Sequence, residues 1–335
     1  MVILSVEELK EGILRIELDL SNMPLGSVNA YLVLSGENPL LIDPGPYEEE
    51  TADLLLSALK QVGADVEKLD VFVTHFHIDH IGQAYALYKR SAQVLFNPTE
   101  AKLLLDDLEQ RWDFLKKVML SHGFTKSEIE EMEDLHPIRF IPKIPLAFVP
   151  VEDGQVLKRG NLSFSVVSAP GHSPGHSCLY EPNLKFFIAG DHVLETITPN
   201  VGFWPEIEDP LGAYLKSLLK VRNLEVDLTL PGHGRPFSNL KKRVNELLSH
   251  HQRRCEEILE ALKEPKTAYE VASLIHWDIG GNWSEFTVHQ KWFALSETIS
   301  HLHYLVKRGK VRKDFKGNVW VFHRSPLMKD GLDGE

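Results

Sequence analysis

The 335-residue sequence has little cysteine and no long apolar run. Its two cysteines, Cys178 and Cys255, cannot form the framework of a disulfide-stabilised secreted domain, so we expect both to be reduced in the cytoplasm. No stretch of ~18 uncharged apolar residues is present, which argues against a membrane span and a membrane partner. The N-terminus has neither the basic start nor the unbroken apolar run of a signal peptide.

Basic residues are in the minority, since 36 Lys and Arg stand against 48 Asp and Glu, giving a net charge of -12. Such a chain repels polyanions at long range, which disfavours a nucleic-acid clamp over the whole surface. The charge is uneven, with -15 in residues 1–240 and +3 in residues 241–335. Together with the length, this predicts two domains, 1–240 and 241–335.

Strand and helix patterns alternate through the first of these domains, which indicates an α/β fold. The segment from about 98 to 136 is mostly helical, with a break at Gly123 and Thr125, and is either a lid over the site or a helical pair on the surface. The predicted helices are Thr51–Val62, Ile81–Arg90 and 210–221. The predicted strands are Gly12–Leu20, Asn29–Leu34, Leu40–Ile42, Leu69–Thr74, Gln93–Phe96, Gln155–Leu157, Leu162–Ser168, Cys178–Glu181, Lys185–Ala189 and Asp227–Leu230.

Histidine, by contrast, is abundant, with 16 residues. The run Thr74-His75-Phe76-His77-Ile78-Asp79-His80 directly follows an apolar strand. In an extended loop alternate residues share a side, so His75 and His77 can converge on one ion while Asp79 and His80 reach a second. Three histidines and an aspartate within six residues therefore predict a metal site.

Three shorter motifs repeat the same order of strand, small residues and potential ligand. They are Pro170-Gly171-His172, which continues to His176, then Gly190-Asp191, and Pro231-Gly232-His233-Gly234. Glycine at these points allows the backbone to approach a metal closely, because it has no side chain to collide with the site.

Taken in this order, His-x-His-x-Asp-His, Pro-Gly-His, Gly-Asp and Pro-Gly-His-Gly resemble the motifs of metallo-β-lactamase-fold hydrolases, most closely the glyoxalase II-like branch. The resemblance covers about residues 10–240. It implies an α/β (α+β) fold, a four-layer αββα sandwich with the metal site at one edge. By the same resemblance, the first metal is bound by His75, His77 and His172, the second by Asp79, His80 and His233, and Asp191 bridges both.

The resemblance also implies a chemistry. Two divalent ions, zinc by default with iron or manganese as alternatives, hold a hydroxide that attacks a thioester or related small-molecule acyl substrate. Asp79 would orient the nucleophile and move its proton. His77, where a flavodiiron oxidoreductase has a carboxylate, favours hydrolysis, and Asp191 argues against a true β-lactamase. A lactonase, a persulfide dioxygenase and a non-catalytic binding protein are less favoured.

Three residues around the motifs are further candidates. His176 either contacts a ligand or the substrate, or stabilises its turn. Phe203 and Trp204 lie on the loop that follows Asp191, where exposed aromatic side chains form a substrate pocket or else pack in the core.

The second predicted domain contains three helical patterns and a hairpin. The helices are Lys241–Leu262, a segment from Thr267 through Ile275, and Phe293–Lys307, and the hairpin strands are Lys310–Arg312 and Val319–His323. This order resembles the winged-helix-like domain of some metallo-β-lactamase-fold hydrolases, including a mitochondrial endoribonuclease. Phosphodiester hydrolysis on RNA, held by the basic hairpin, is therefore the alternative function. A homodimer is common in this family, although no sequence feature indicates one.

Overall fold

The computed structural model describes residues 5–10, 12–20, 26–90, 92–142 and 146–326. The expectation about a signal peptide therefore falls partly on Met1–Leu4, outside the described residues. The described chain forms two compact units. The first unit contains the described residues of Met1–Leu108, Pro137–Pro199 and Ala213–Leu247. The second unit contains those of Glu109–His136, Asn200–Gly212 and Leu248–Glu335. The predicted domains, 1–240 and 241–335, stay a prediction.

The first unit contains a mixed sheet, which is antiparallel from β1 to β4 and parallel from β4 to β7. Its strands, in spatial order, are β1 (Ser5–Lys10), β2 (Ile13–Leu20), β3 (Gly26–Val33), β4 (Leu40–Ile42), β5 (Asp70–Phe72), β6 (Gln93–Phe96) and β7 (Val149–Pro150). Most of these bounds lie within a few residues of the predicted ones.

A second sheet has the spatial order β12-β11-β10-β9-β8, in which only the β11–β12 pair is parallel. Its strands are β8 (Val156–Arg159), β9 (Leu162–Ser168), β10 (Ser177–Glu181), β11 (Phe186–Gly190) and β12 (Leu228–Pro231). Tyr31 and Phe72 of the first sheet share one apolar cluster with Phe164 and Ile188 of the second. The two sheets therefore pack face to face.

The first sheet is buried on its other face as well. In β3, Tyr31 points into the cluster between the sheets, whereas Ala30 and Leu32 belong to a second cluster with Leu55 and Leu59. These two leucines lie on helix α1 (Glu49–Gln61), so the period-2 pattern of the strand meets the apolar face of a helix. The predicted α/β sandwich with helices outside the sheets is confirmed.

The predicted helix Ile81–Arg90 is instead two short helices, α2 (Ile78–Ile81) and α3 (Ala84–Tyr88). Gln83 lies between them, and its backbone N–H donates to the carbonyl oxygen of Gly45 rather than to a carbonyl of its own helix. Its side-chain amide donates to the carbonyl oxygens of Pro46 and Glu48, both at 2.7 Å. These tertiary bonds replace the continuous helical ladder that the apolar spacing predicted.

The helical stretch 98–136 consists of α4 (Pro98–Leu105), α5 (Leu108–Ser121) and α6 (Lys126–Met132). The predicted break is confirmed, because Gly123 has a left-handed φ of 106° and Thr125 caps α6 through a capping box with Glu128. Residues 109–136 belong to the second unit.

The remaining helices also follow the sequence closely. They are α7 (Pro210–Val221), α8 (Leu240–Ala261), α9 (Ala268–Ala272) and α10 (Val288–Lys307), followed by a hairpin of β13 (Val311–Lys316) and β14 (Val319–Arg324). Thr267 and Glu270 form the predicted capping box of α9. The described helices include none that is both long and apolar enough to cross a membrane.

Candidate metal centre

Three imidazoles converge at the ends of β5 and β9. Nε2 of His75 lies 2.9 Å from Nδ1 of His77, which lies 3.2 Å from Nε2 of His172. Ligands at Zn–N distances of about 2.0–2.1 Å in a tetrahedron are roughly 3.3 Å apart. The three nitrogens therefore have the spacing of ligands to one ion, and we call these residues the His group.

A second set of donors lies beside the first. Oδ2 of Asp79 is 3.3 Å from Nε2 of His233, and Nε2 of His80 is 3.3 Å from the same nitrogen. Asp79 and His80 lie in α2, which follows β5, and not in the extended loop that the sequence predicted. His233 follows β12, so the fold joins the three residues across the two sheets. We call these three residues the Asp–His group.

Asp191, at the end of β11, lies between the two groups. Its Oδ2 is 3.8 Å from Nε2 of His172 and 3.5 Å from Nε2 of His233, and its Oδ1 is 3.5 Å from Nε2 of His80. Asp191 Oδ1 is buried and has no hydrogen-bond partner among the described residues. A buried carboxylate oxygen in this state is suited to a cation, so the donor set fits a pair of divalent ions.

The orientation of the rings is set by groups behind them. His80 Nδ1 lies 2.9 Å from Oδ2 of Asp43, and His233 Nδ1 lies 2.6 Å from the carbonyl oxygen of Ser27. Asp43 also accepts the Thr74 hydroxyl at 2.7 Å, and Thr74 Oγ1 lies 3.0 Å from Nδ1 of His75. Donation by each Nδ1–H makes Nε2 the nitrogen that faces the site, where it can bind a metal in its deprotonated form.

The two groups differ in their protonation before any cation enters. Burial lowers the pKa of His75 far below its usual range, and burial together with His172 lowers that of His77 to about 3. Burial also opposes a charge on His233, but Asp191 and Asp79 outweigh it and raise the pKa to about 10. His75 and His77 are therefore neutral imidazoles, whereas the Asp–His group contains an internal ion pair.

His176 lies behind the ligands. The backbone N–H of Asp191 donates to its Nε2 at 3.2 Å, and its ring stacks on that of His75 with 5.0 Å between centroids. Gly190 fits closely here, because it has a φ of 50° and a Cβ at this position would lie 2.8 Å from Nε2 of His176. His176 thus contacts two candidate ligand residues, Asp191 through its backbone and His75 through its ring, and its role stays a prediction.

Phe203 and Trp204 both belong to the second unit, within Asn200–Gly212. The Phe203 backbone N–H donates to Ser296 Oγ at 2.8 Å, and its ring meets that of His303 edge-on. Trp204 lies beneath the guanidinium of Arg111, 5.9 Å from its ring centroid. Their role in substrate binding stays a prediction.

Two buried carboxylates of the first unit were missed by the sequence analysis. Asp43 accepts the backbone N–H of Thr74 at 2.8 Å in addition to the two bonds described above. Glu100 accepts from the backbone N–H of Phe76 at 2.8 Å and from the hydroxyl of Ser173 at 2.7 Å. Asp43 carries the same signal as the ligands, since it follows strand β4 and precedes Pro44-Gly45. Glu100 carries no such signal.

The second unit contains another group of potential ligands, since His250, His251 and Glu297 have donor atoms within 4.8 Å of one another. His301 Nδ1 lies 2.9 Å from the carbonyl oxygen of Glu297, four residues earlier in α10. Because that nitrogen donates, Nε2 of His301 is an acceptor and receives the Nδ1–H of His251 at 3.1 Å. The two histidines thus form a directed chain of hydrogen bonds.

The carboxyl group of Glu297 is already engaged, because Asn200 Nδ2 donates to its Oε2 at 2.9 Å. Burial raises the pKa of Glu297 to about 7, although the nearby guanidinium of Arg254 opposes this rise. Since Arg254 would also repel a metal cation, we interpret the group as a buried polar network that holds Asn200 to α10.

Comparisons with known proteins agree with this geometry. Residues 23–233 match the family model described as Metallo-beta-lactamase superfamily, and residues 255–325 match that of the Metallo-beta-lactamase-like, C-terminal domain. A metallo-beta-lactamase family protein from Thermus thermophilus, TTHA1429, has a similar structure, with a TM-score of 0.81 and 27% identity, covering 95% of this chain and 100% of that one.

Two relatives are similar in sequence along most of this chain. "Probable metallo-hydrolase YqjP" of Bacillus subtilis is 24% identical, and the match covers 89% of this chain and 93% of the relative. "Atrochrysone carboxyl ACP thioesterase" of Emericella nidulans is 25% identical, with 94% of this chain and 84% of the relative covered. The chain belongs to the metallo-β-lactamase superfamily and is a metallo-hydrolase of that superfamily.

Proposed function

We propose that the protein is a dinuclear metal-dependent hydrolase that cleaves a thioester or a related acyl substrate, as in the glyoxalase II-like branch. One observation carries the dinuclear part of the proposal. Asp191 has carboxylate oxygens within 3.8 Å of His172 in the His group and within 3.5 Å of His80 and His233 in the Asp–His group. A carboxylate in this position suits the bridge between two cations.

The acyl substrate is supported by the relatives. The Emericella nidulans protein that matches 94% of this chain is named a thioesterase. A thioester carbonyl is an electrophile of the kind that this chemistry requires, because negative charge develops on its oxygen during hydrolysis.

When bound, a pair of divalent cations lowers the pKa of water and polarises a substrate oxygen. The residues of the chain would hold these ions, and a carboxylate among them would accept and release the protons of the reaction. Side-chain exposure is 14% for Asp79 and 7% for Asp191, so Asp79 is the better placed of the two to exchange a proton with solvent. Thr74 and Asp43 keep the ligand nitrogens of His75 and His80 aimed inward.

Metal analysis followed by a small panel of substrates tests this proposal. The panel contains an acyl-glutathione, an acyl-CoA, a lactone, a nitrocefin-like lactam and a single-stranded RNA. We expect two divalent ions per chain, zinc among them, and thioester turnover that a chelator abolishes and added metal restores. Cleavage of RNA without thioester turnover would reject the acyl substrate, whereas a single bound ion at full activity would reject the dinuclear site.

Phosphodiester hydrolysis on RNA is the second candidate, and one feature of the hairpin favours it. Phe315 is 55% exposed and lies 4.9 Å from the ring of Trp320, above which Lys313 Nζ lies at 4.6 Å. Exposed aromatic rings beside cations are suited to stacking with unpaired bases. We expect Lys313→Glu to weaken RNA binding at low salt if this function holds, with Lys242→Glu on α8 as the matched control.

The basic hairpin is less available than its sequence suggested. Of the six basic residues that the sequence places in and before it, Lys307 pairs with Glu208, Arg308 with Asp209 and Lys316 with Asp314. The others are Lys310, Arg312 and Lys313. This pairing favours the acyl substrate over RNA.

The remaining parts of the proposal concern context. A winged-helix-like fold for residues 241–335 is supported by the order of α8, α9, α10 and the hairpin β13–β14. A cytoplasmic location is supported by two buried free thiols, Cys178 and Cys255. A homodimer is proposed from family resemblance alone, and light scattering on the full chain tests it.

A further inference from the structure

Glu100 is a buried carboxylate close to the centre but outside both ligand groups. Glu100 is 0% exposed and lies in the first turn of α4. Asn97 caps this helix, because its side-chain oxygen accepts the Thr99 N–H at 2.8 Å. Burial of a carboxylate is unfavourable unless several donors satisfy it. Its partners therefore show what it does.

The partners of Glu100 belong to two different loops. Oε2 accepts the backbone N–H of Phe76 at 2.8 Å, the residue between His75 and His77. Oε1 accepts the hydroxyl of Ser173 at 2.7 Å and the backbone N–H of Gly175. These residues follow His172 directly. One carboxylate thus joins the two loops that supply all three ligands of the His group.

We propose that Glu100 is a positioning residue for the His group, whose task is to hold His77 and His172 at metal-binding distance. Nδ1 of His77 and Nε2 of His172 are 3.2 Å apart although they are 95 residues apart in sequence. Two loops anchored on opposite oxygens of one rigid carboxylate cannot separate without breaking charge-assisted hydrogen bonds. This inference rests on the proposed dinuclear site.

A carboxylate suits this position because the Phe76 N–H, the Ser173 hydroxyl and the Gly175 N–H all donate to Glu100. In Glu100→Gln the shape is retained, but the amide nitrogen must face at least one N–H group, either that of Phe76 or that of Gly175. One of the two loops therefore loses its anchor while the core packing is unchanged. Glu181 offers a matched control in the same unit, since it is also 0% exposed and accepts the backbone N–H of Leu184 and the Asn183 amide at 3.2 Å.

The experiment measures the affinity of both metal equivalents in the full chain by competition with a chromophoric chelator. Loss of a group that orients metal ligands lowers metal affinity by about 10- to 100-fold. We expect Glu100→Gln to lower the affinity for one metal equivalent by roughly tenfold and that for the other by less than threefold. The tenfold loss is the lower end of the range because Glu100 acts on the ligands through the backbone. Glu181→Gln should lower the thermal midpoint and leave both affinities unchanged.

Combining Glu100→Gln with a second substitution, either His233→Ala or His172→Ala, shows which ligand group loses metal affinity. In His233→Ala the His group is the intact one, and Glu100→Gln should still weaken binding there. In His172→Ala the Asp–His group is the intact one, and Glu100→Gln should have no effect. Unchanged affinities in Glu100→Gln, or equal losses in both backgrounds, would overturn the positioning role. A wild-type chain that binds no second ion would instead refute the proposed dinuclear site.

Discussion

Replacing Asp43 by asparagine should damage the metal centre although Asp43 belongs to neither the His group nor the Asp–His group. Asp43 is 2% exposed and accepts three hydrogen bonds, from the Thr74 N–H at 2.8 Å, the Thr74 hydroxyl at 2.7 Å and His80 Nδ1 at 2.9 Å. In the asparagine variant the amide oxygen still serves the Thr74 N–H, but an NH₂ group replaces the oxygen that faces His80.

That exchange reverses the hydrogen bond to the ring. The amide now donates to Nδ1 of His80, so the imidazole proton moves to Nε2, the nitrogen that faces Asp79 and His233. A protonated Nε2 cannot bind a cation. We expect metal affinity to fall by about 10- to 100-fold, which corresponds to roughly 1.4–2.7 kcal/mol. Loss of the charge-assisted bonds should also lower the free energy of unfolding of the metal-free chain by about 2–3 kcal/mol.

Competition with a chromophoric chelator measures the first quantity, and urea unfolding of the metal-free chain measures the second. Asp70→Asn is the control, since Asp70 begins β5 in the parallel part of the same sheet. Its carboxylate pairs with Arg159 instead of a candidate ligand. An Asp43→Asn chain that binds metal as tightly as the control does would refute this role of Asp43.

Three further outcomes follow from single residues. His77→Ala should abolish hydrolysis and remove one metal equivalent, as judged by metal analysis, and two ions with full activity would contradict the site. Burial raises the pKa of Glu297 to about 7 from 4.5, so the folded state retains a proton that the unfolded chain releases. Stability should therefore fall as the pH rises from about 4.5 to 7, by up to about 3 kcal/mol, and Glu297→Gln should remove this decline in urea unfolding. Thr267→Ala, which removes the α9 cap, should cost about 1 kcal/mol, whereas Thr267→Ser should retain the stability.

Ten of the twelve strands in the two sheets could be predicted because their signal is local, whereas β1 (Ser5–Lys10) and β7 (Val149–Pro150) were not predicted. Gln93–Phe96 and Leu162–Ser168 were predicted with the bounds that the structure shows. In Leu162–Ser168 the burial alternates as the side chains did in sequence, so period and environment agree. The ligand motifs were accessible for the same reason, since each is a short run at the end of a strand.

The supporting carboxylates could not be predicted in the same way, because their function depends on distant partners. Asp43 is 31 residues from Thr74 and Glu100 is 75 residues from Gly175. An isolated glutamate in the first turn of a helix is ordinarily explained by the helix dipole alone. The assignment of 109–136 to the second unit likewise depends on tertiary packing.

Asp43 and Glu100 connect the ligand groups in different ways. Asp43 reaches His80 directly and His75 through Thr74, and so connects a ligand of each group. Glu100 contacts both loops that carry the His group. Coordination geometry is therefore not a property of the ligand motifs by themselves. It arises because the ends of β4, β5 and β9 lie at one edge of the sandwich, where buried acceptors behind the ligands restrict the rings to a single orientation.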